Sequence, residues 1–274
     1  MTEADRSVTW QLEGSGPEAY ERYLVPTIFG PWAERLIDEA DPREGEWVLD
    51  VGYGTGIVAR RAAARLGAEG RAVGVDVNES MLETARGAAA GIEPPIEWRR
   101  ADATEIPFPD GLFDVAFCQQ ALQFMTERPA VLGEIRRVLA PGGRLALSVW
   151  RPIARNAAYI VLADDLERWV GDEPAAMVRS IFPEWEADDL RALLRDAGFE
   201  GTRITVGIGS MRYPSAEEFV RREAASSPLS GPLGSLDSEA RNALIDNVAE
   251  GMRPYSDDDA LVFPMESHIA LARS

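Results

Sequence analysis

Residues 48–56 constrain the fold of this chain more than any other stretch. Val48, Leu49, Asp50 and Val51 run into Gly52, Gly54 and Gly56, glycines at every second position. A short apolar run closed by glycines is the pattern of a buried parallel strand ending in a tight turn. Ile57 to Leu66 then supplies helix formers with an apolar face. The order strand, glycine loop, helix aims backbone N–H groups and a helix N-terminus at a ligand across the strand end.

The chain then repeats that unit. Strands are expected at Arg71–Asp76, Ile96–Asp102, Phe113–Cys118 and Arg144–Trp150, with helices at Met81–Ala89 and Pro129–Leu139 between them. Short loops between alternating strands and helices imply a parallel, doubly wound α/β sheet. Before it, Glu18–Leu24 and Trp32–Ala40 read as helices, punctuated by Pro26 and Pro31, and Tyr20 and Tyr23 share a face at helical spacing. After it, 151–186 is helix-like. Asp188–Ala197 is a helix closed by Gly198, and Gly201–Tyr213 is a sixth strand. Residues 214–255 return to helical or irregular sequence, and Ala260–Ala272 is a last strand. The expected organisation is a cap over 1–44, a core over 45–150, a helical insertion over 151–187, a core helix and strand over 188–212, a second insertion over 213–257 and a final strand over 258–274. Insertions of this length cover pockets or carry function.

Composition excludes some classes of partner. The 274 residues carry a net charge of −18, and all 28 basic residues are arginine. A surface of that sign repels polyphosphate, so nucleic acid and anionic membrane are poor partners. No apolar run approaches the ~18 residues of a membrane span. The polar start, Met1–Arg6, lacks the order of a signal peptide, and the single cysteine, Cys118, forms no internal disulfide. These features suggest a cytoplasmic protein acting on a small molecule, as a monomer or homodimer. No metal-binding cluster stands out.

The loop spacing narrows the ligand. The dinucleotide fingerprint is G-x-G-x-x-G, but here the third glycine comes one position early and Ile57 stands where Gly or Ala belongs. No lysine follows, which excludes a Walker A loop. Asp50 directly before the loop faces a pyrophosphate badly and an ammonium well. Asp76 and Asp102 end the next two expected strands. There a carboxylate can accept from two ribose hydroxyls, and a carboxylate followed by the Ala103 N–H can read an adenine edge. A ligand with an amine, a ribose and no phosphate meets these conditions, and S-adenosylmethionine is such a ligand.

Val48–Gly56, Gly74-Val75-Asp76, Ala101-Asp102-Ala103, Leu112–Val115 and Arg136–Gly143 together resemble the class I S-adenosylmethionine-dependent methyltransferases, in the branch of ubiquinone/menaquinone-type and small-molecule enzymes. The resemblance implies a Rossmann-like, mostly parallel seven-stranded sheet with an antiparallel last strand and helical lid insertions. It implies S-adenosyl-L-methionine as cofactor, S-adenosyl-L-homocysteine as product, and methyl transfer to O, N or C of a small, partly apolar molecule. It places Gly52, Gly54 and Gly56 at the methionine part, Asp50 near its amine, Asp76 at the ribose, and Asp102 and Ala103 at the adenine. The Cys118 carbonyl would meet the amino group, with Gln119, Gln120 and Gln123 following at the pocket mouth, Gln120 reading equally as helix surface. Val77 and Met81 pack on the adenosine or belong to ordinary core. Tyr20 and Tyr23 cover the methionine end or are plain core. Tyr53 departs from the small residue usual there, and is expected to turn away from the cofactor or shape its methionine end.

Gln123, Trp150 and Asn156 are the candidate acceptor contacts, though Gln123 reads equally as helix surface. His268, the only histidine, is the candidate general base if it reaches the pocket, and a strand core residue otherwise. Two other readings remain: a protein that binds this cofactor without methylating, and a nicotinamide oxidoreductase.

Overall fold

The computed structural model describes residues 10–274. Its centre is one seven-stranded sheet in the order β3-β2-β1-β4-β5-β7-β6. The strands are β1 Trp47–Val51, β2 Arg71–Asp76, β3 Ile96–Arg100, β4 Phe113–Gln119, β5 Leu139–Trp150, β6 Glu200–Tyr213 and β7 Leu261–Arg273. β7 runs antiparallel to both β5 and β6, and the pairs among β1 to β5 are parallel. The seven strands and the reversed last strand are those the sequence implies. β5 begins earlier than Arg144, but Leu139 pairs only with Phe113, and the regular register starts at Arg144.

Helices lie on both faces: α1 Gly16–Ala19, α2 Gly30–Ala40, α3 Ile57–Leu66, α4 Glu79–Ala88, α5 Arg128–Val138 and α8 Ala187–Asp196 around the sheet. The late insertions contribute α6 Ala157–Trp169, α7 Asp172–Ser180, α9 Ala216–Ala225, α10 Ser230–Gly234 and α11 Ser238–Gly251. Alternation along β1 makes the two cores. Val48 packs with Leu36, Val58, Val115 and Phe117 on one face, and Leu49 and Val51 with Val73, Ala116 and Leu132 on the other. Each fully buried leucine or isoleucine among them contributes roughly 2 kcal/mol. No helix among the described residues is long and apolar enough to cross a membrane.

One local expectation fails. Pro26 does not separate two helices. Residues Tyr20–Phe29 form a π-helical segment that runs directly into α2. Proline has no N–H and crowds the carbonyl four residues back, and widening the helix to i→i+5 bonding relieves both problems. The Gly30 N–H accordingly bonds to the Val25 carbonyl. The wider turn also rotates Tyr20 and Tyr23 onto different faces.

Candidate functional site

β1 sits between β2 and β4, so the chain switches direction across the sheet at its C-terminal end, where open α/β sheets bind ligands. The glycine loop occupies this point. Gly52 and Gly56 have left-handed φ of 69° and 81°. A Cβ on Gly52 would lie 2.6 Å from that of Ala121, and one on Gly56 would lie 2.2 Å from the Trp98 ring. Glycine is therefore required twice over at each, by backbone conformation and by space. Tyr53, between them, buries its ring against Trp98 (centroids 4.8 Å apart), Leu82 and Ala85. The ring packs toward α4 and β3, and the residue also forms part of the cavity wall.

Asp50 lies within β1, Asp76 ends β2, and Asp102 falls two residues past the end of β3 rather than on it as expected; each carboxylate holds nearby backbone. Asp50 Oδ2 accepts from the Ala59 N–H (3.0 Å) in the first turn of α3. Burial pushes its pKa up to about 7, with the Asp76 charge adding to the rise. Asp76 bridges two loops: Oδ2 accepts from Gly54 N–H and Oδ1 from Asn78 N–H, both at 2.9 Å. Burial raises its pKa against the pull of these bonds. Asp102 Oδ1 accepts from the backbone N–H (2.8 Å) and hydroxyl (2.7 Å) of Thr104, and these bonds hold it below the usual carboxylate range.

These groups line a cavity of about 590 Å³. Asp50, Gly52, Gly54, Asp76, Val77, Met81, Asp102, Ala103 and Gln119 are all in its wall. Val77 is 45% exposed, an apolar side chain left open at the strand end. Gln119 donates from Nε2 to the Phe29 carbonyl (3.0 Å), and its buried Oε1 has no partner among the described residues. Trp10, Gln11 and Leu12 also reach the wall, and Asn78 Nδ2 donates to the Leu12 carbonyl at 3.1 Å.

Several expected residues are placed elsewhere. Gly56 turns onto Trp98 and Cys118 lies inside β4, its thiol fully buried and pushed up to about 12; neither lines the cavity. Tyr23 faces outward beneath Arg22, Arg221 and Arg222, while Tyr20 takes the cavity position and stacks on Phe29 at 4.8 Å. Of the acceptor candidates, Trp150 lines the cavity. Gln123 is buried and donates to the Ile181 carbonyl (3.2 Å), tying down the lid. Asn156 spends its amide on Arg151 O and Glu266 N–H.

His268 is 1% exposed on β7, off the cavity wall, with Nε2 3.2 Å from the Trp185 carbonyl. Burial, then Arg151, lowers its pKa, so it is neutral. His268→Gln should leave kcat/KM within about twofold while lowering stability by about 1 kcal/mol, the size of one buried hydrogen bond. Steady-state kinetics beside a denaturant melt would check it, and a large kcat loss in a fully folded variant would restore His268 as the base.

Glu223 of α9 is a buried carboxylate in the cavity wall that sequence reasoning missed. A signal was present: Ala216, Phe219, Val220 and Glu223 fall on one helical stripe, an acid at an apolar position. It sits among Trp150, Tyr159 and Phe182 from the first insertion and the strand β5.

Comparison with known proteins agrees with this geometry. The family model described as "Methyltransferase domain" matches residues 48–143. The chain is 34% identical over 185 residues to the ubiquinone/menaquinone biosynthesis C-methyltransferase UbiE of Paraburkholderia phymatum, an alignment covering 63% of this chain and 74% of that one. The chain belongs to the class I S-adenosylmethionine-dependent methyltransferases. Solved structures share the fold. One is the phosphoethanolamine N-methyltransferase 2 of Haemonchus contortus with S-adenosylhomocysteine, at 18% identity and TM-score 0.61, covering 99% of this chain and 60% of that one. Another is an S-adenosylmethionine-dependent methyltransferase of Aquifex aeolicus, at 23% identity and TM-score 0.53, covering 71% and 92%. The enzyme thus transfers a methyl group from S-adenosylmethionine to a small molecule. Its cavity fits that cofactor: a glycine cradle beside Tyr20, a partnerless Gln119 Oε1 and an open Val77 side chain line one wall.

Proposed function

We propose that the cofactor lies along the ends of β1, β2 and β3. Asp76 holds the ribose hydroxyls, Asp102 and the Ala103 N–H read the adenine edge, and Val77 and Met81 cover its faces. Asp50, Gly52, Gly54 and Gln119 surround the methionine part, under Tyr20. The acceptor enters the other half, closed by a lid of residues 151–187 and 213–257 with the described part of the N-terminal cap, 10–44; residues 1–9 of the expected cap lie outside the described residues. Bound S-adenosylmethionine supplies a methyl on a positively charged sulfur. The protein's task is to align the acceptor behind that methyl for direct in-line transfer and to keep water out.

The observation that carries this reading is the continuity of the cavity, which runs from Asp76 and Asp102 at one end to Trp150 and Glu223 at the other. At about 590 Å³ it lies within the range of small-molecule sites and supports catalysis over cofactor storage. Its aromatic walls suit a partly apolar acceptor, and the relatives' name puts a quinol-type ring among those to test. The charge of −18 supports a small-molecule substrate over nucleic acid or an anionic membrane. The enzyme works as a monomer or homodimer in the cytoplasm.

Calorimetry tests the cofactor seat. Binding of S-adenosylmethionine or its demethylated product should be micromolar, and NAD should not bind. Affinity should rise with pH up to about 7, because the cofactor's ammonium favours ionised Asp50, which in the free protein holds its proton to about that pH. The same shift acts oppositely on folding. Unfolded Asp50 ionises near pH 4, so its contribution to stability is full below that and is lost as pH rises toward 7. Product release across phenols, amines and quinols then tests transfer. Binding of NAD alone would favour an oxidoreductase, and tight cofactor binding with no acceptor turned over would favour a non-catalytic protein.

A further inference from the structure

We propose that Glu223 is the catalytic base of this enzyme and that the acceptor is a largely apolar molecule methylated through a phenolic or enolic hydroxyl. The proposal deepens the methyltransferase reading above and rests on it.

Glu223 is 5% exposed, yet lies in the cavity wall. The Tyr159 hydroxyl (3.1 Å) and the Tyr213 hydroxyl (3.0 Å) both donate to the same oxygen, Oε1. No hydrogen bond reaches Oε2 among the described residues. Ser226, one turn on and also in the wall, has a buried hydroxyl oxygen without a partner among the described residues. A carboxylate buried on an apolar helix stripe costs several kcal/mol unless its charge is met. Two phenols meet half of it. The other half is turned over to whatever occupies the cavity.

The surroundings select the visitor. The titratable groups packed on Glu223 are Tyr159 from α6 and Tyr213 from β6, and burial keeps both phenols protonated. Arg222, beside Tyr213, is paired with Glu218. Elsewhere in the same cavity wall stand Tyr20, Asp50, Tyr53, Asp76, Asp102 and Glu127. Burial pushes Glu223 up to about 7, against the opposite pull of the two phenols. Near neutral pH it is thus poised to take and release a proton. An aliphatic amine would arrive as an ammonium, shed its hydration at high cost against Trp150, Phe182 and Tyr159, and remain a non-nucleophilic ion pair. A neutral hydroxyl enters cheaply and donates to Oε2.

The step balances without another reagent. The acceptor's O–H bond breaks and its proton passes to Glu223 Oε2. The oxygen's electron pair forms the new bond to the methyl carbon, while the pair of the breaking S–CH3 bond stays on sulfur. Glu223 returns its proton to water when product leaves. Tyr159 and Tyr213 are positioning residues: they fix Oε1 and stabilise the carboxylate, and they stay protonated throughout.

Glu223→Gln keeps an acceptor oxygen for both phenols and should fold. With a panel of substituted phenols and matched amines, wild type should methylate phenols, with kcat/KM rising about tenfold per pH unit to a plateau above about 7. Glu223→Gln should lose about 100-fold or more in kcat/KM and the pH dependence with it, while cofactor affinity by calorimetry stays within about twofold. Tyr159→Phe should move the midpoint to higher pH, because a bond favouring the charged form is gone. A second readout needs no turnover. Binding of 4-nitrophenol to cofactor-free protein, followed by absorbance, should weaken above pH 7 more steeply in wild type than in Glu223→Gln, where no carboxylate opposes the phenolate. Glu223→Gln within threefold of wild type, an unmoved midpoint in Tyr159→Phe, or turnover of amines but no phenol would overturn the proposal. Absence of cofactor binding by wild type would instead sink the underlying functional reading.

Discussion

Asp76→Ala weakens S-adenosylmethionine binding by about 100-fold. The expectation comes from the two tasks this carboxylate performs. It accepts from the Gly54 and Asn78 N–H groups and so ties the glycine loop to the start of α4. On the proposed seat it also accepts from the ribose. Hydrogen bonds to charged groups are each worth about 1.5–3 kcal/mol, and a stranded buried donor costs a similar amount. A net loss of about 3 kcal/mol corresponds to about 100-fold in affinity. Asp76→Asn keeps one oxygen for Gly54 but opposes its NH2 to the Asn78 N–H, so about tenfold is expected. Calorimetry on both variants, with circular dichroism to confirm folding, decides the matter. A folded Asp76→Ala whose Kd stays within threefold would remove the ribose assignment.

The second large effect is on the loop itself. Gly56→Ala puts a Cβ at φ 81° and 2.2 Å from the Trp98 ring. Left-handed strain costs about 1–2 kcal/mol and overpacking another ~1–3 kcal/mol. Together they should lower stability by about 3 kcal/mol and Tm by about 8 °C, with cofactor affinity down at least tenfold. Trp98→Ala removes the collision but not the strain. The double variant should therefore be more stable than the sum of the single changes predicts, by at least about 1 kcal/mol. Strict additivity in denaturant melts would mean that Trp98 does not set the identity of residue 56.

These two expectations differ in how early they could have been made. Asp76 is visible in the sequence as an acid closing a short apolar strand, and β2 ends on it as expected. The helix Ile57–Leu66 likewise has the bounds the sequence implies. Both depend on neighbours a few residues away. Trp98 beneath Gly56 depends on the pairing of β2 with β3, which no local pattern states. The pair Tyr20 and Tyr23 shows the same limit at closer range. Spacing places them together on a regular helix, and only the π-helical path around Pro26 sends one to the cavity and the other beneath arginines.

The acceptor side was the least legible. His268 and Asn156 carry chemistry by type, but their strand and loop positions bury them away from the cavity. Glu223 was hidden because its partners Tyr159 and Tyr213 are 64 and 10 residues away. An acid on an apolar stripe signals a buried partner without naming it.

By itself, then, the sequence determined the sheet, the glycine loop and the class of cofactor, because alternation, glycine spacing and strand-end acids act over a few residues of backbone. Only the tertiary structure decided which side chains line the cavity. That choice is made where the insertions over 151–187 and 213–257 fold back over the strand ends, and long-range packing, rather than local periodicity, determines which groups lose water and which keep a free hydrogen bond.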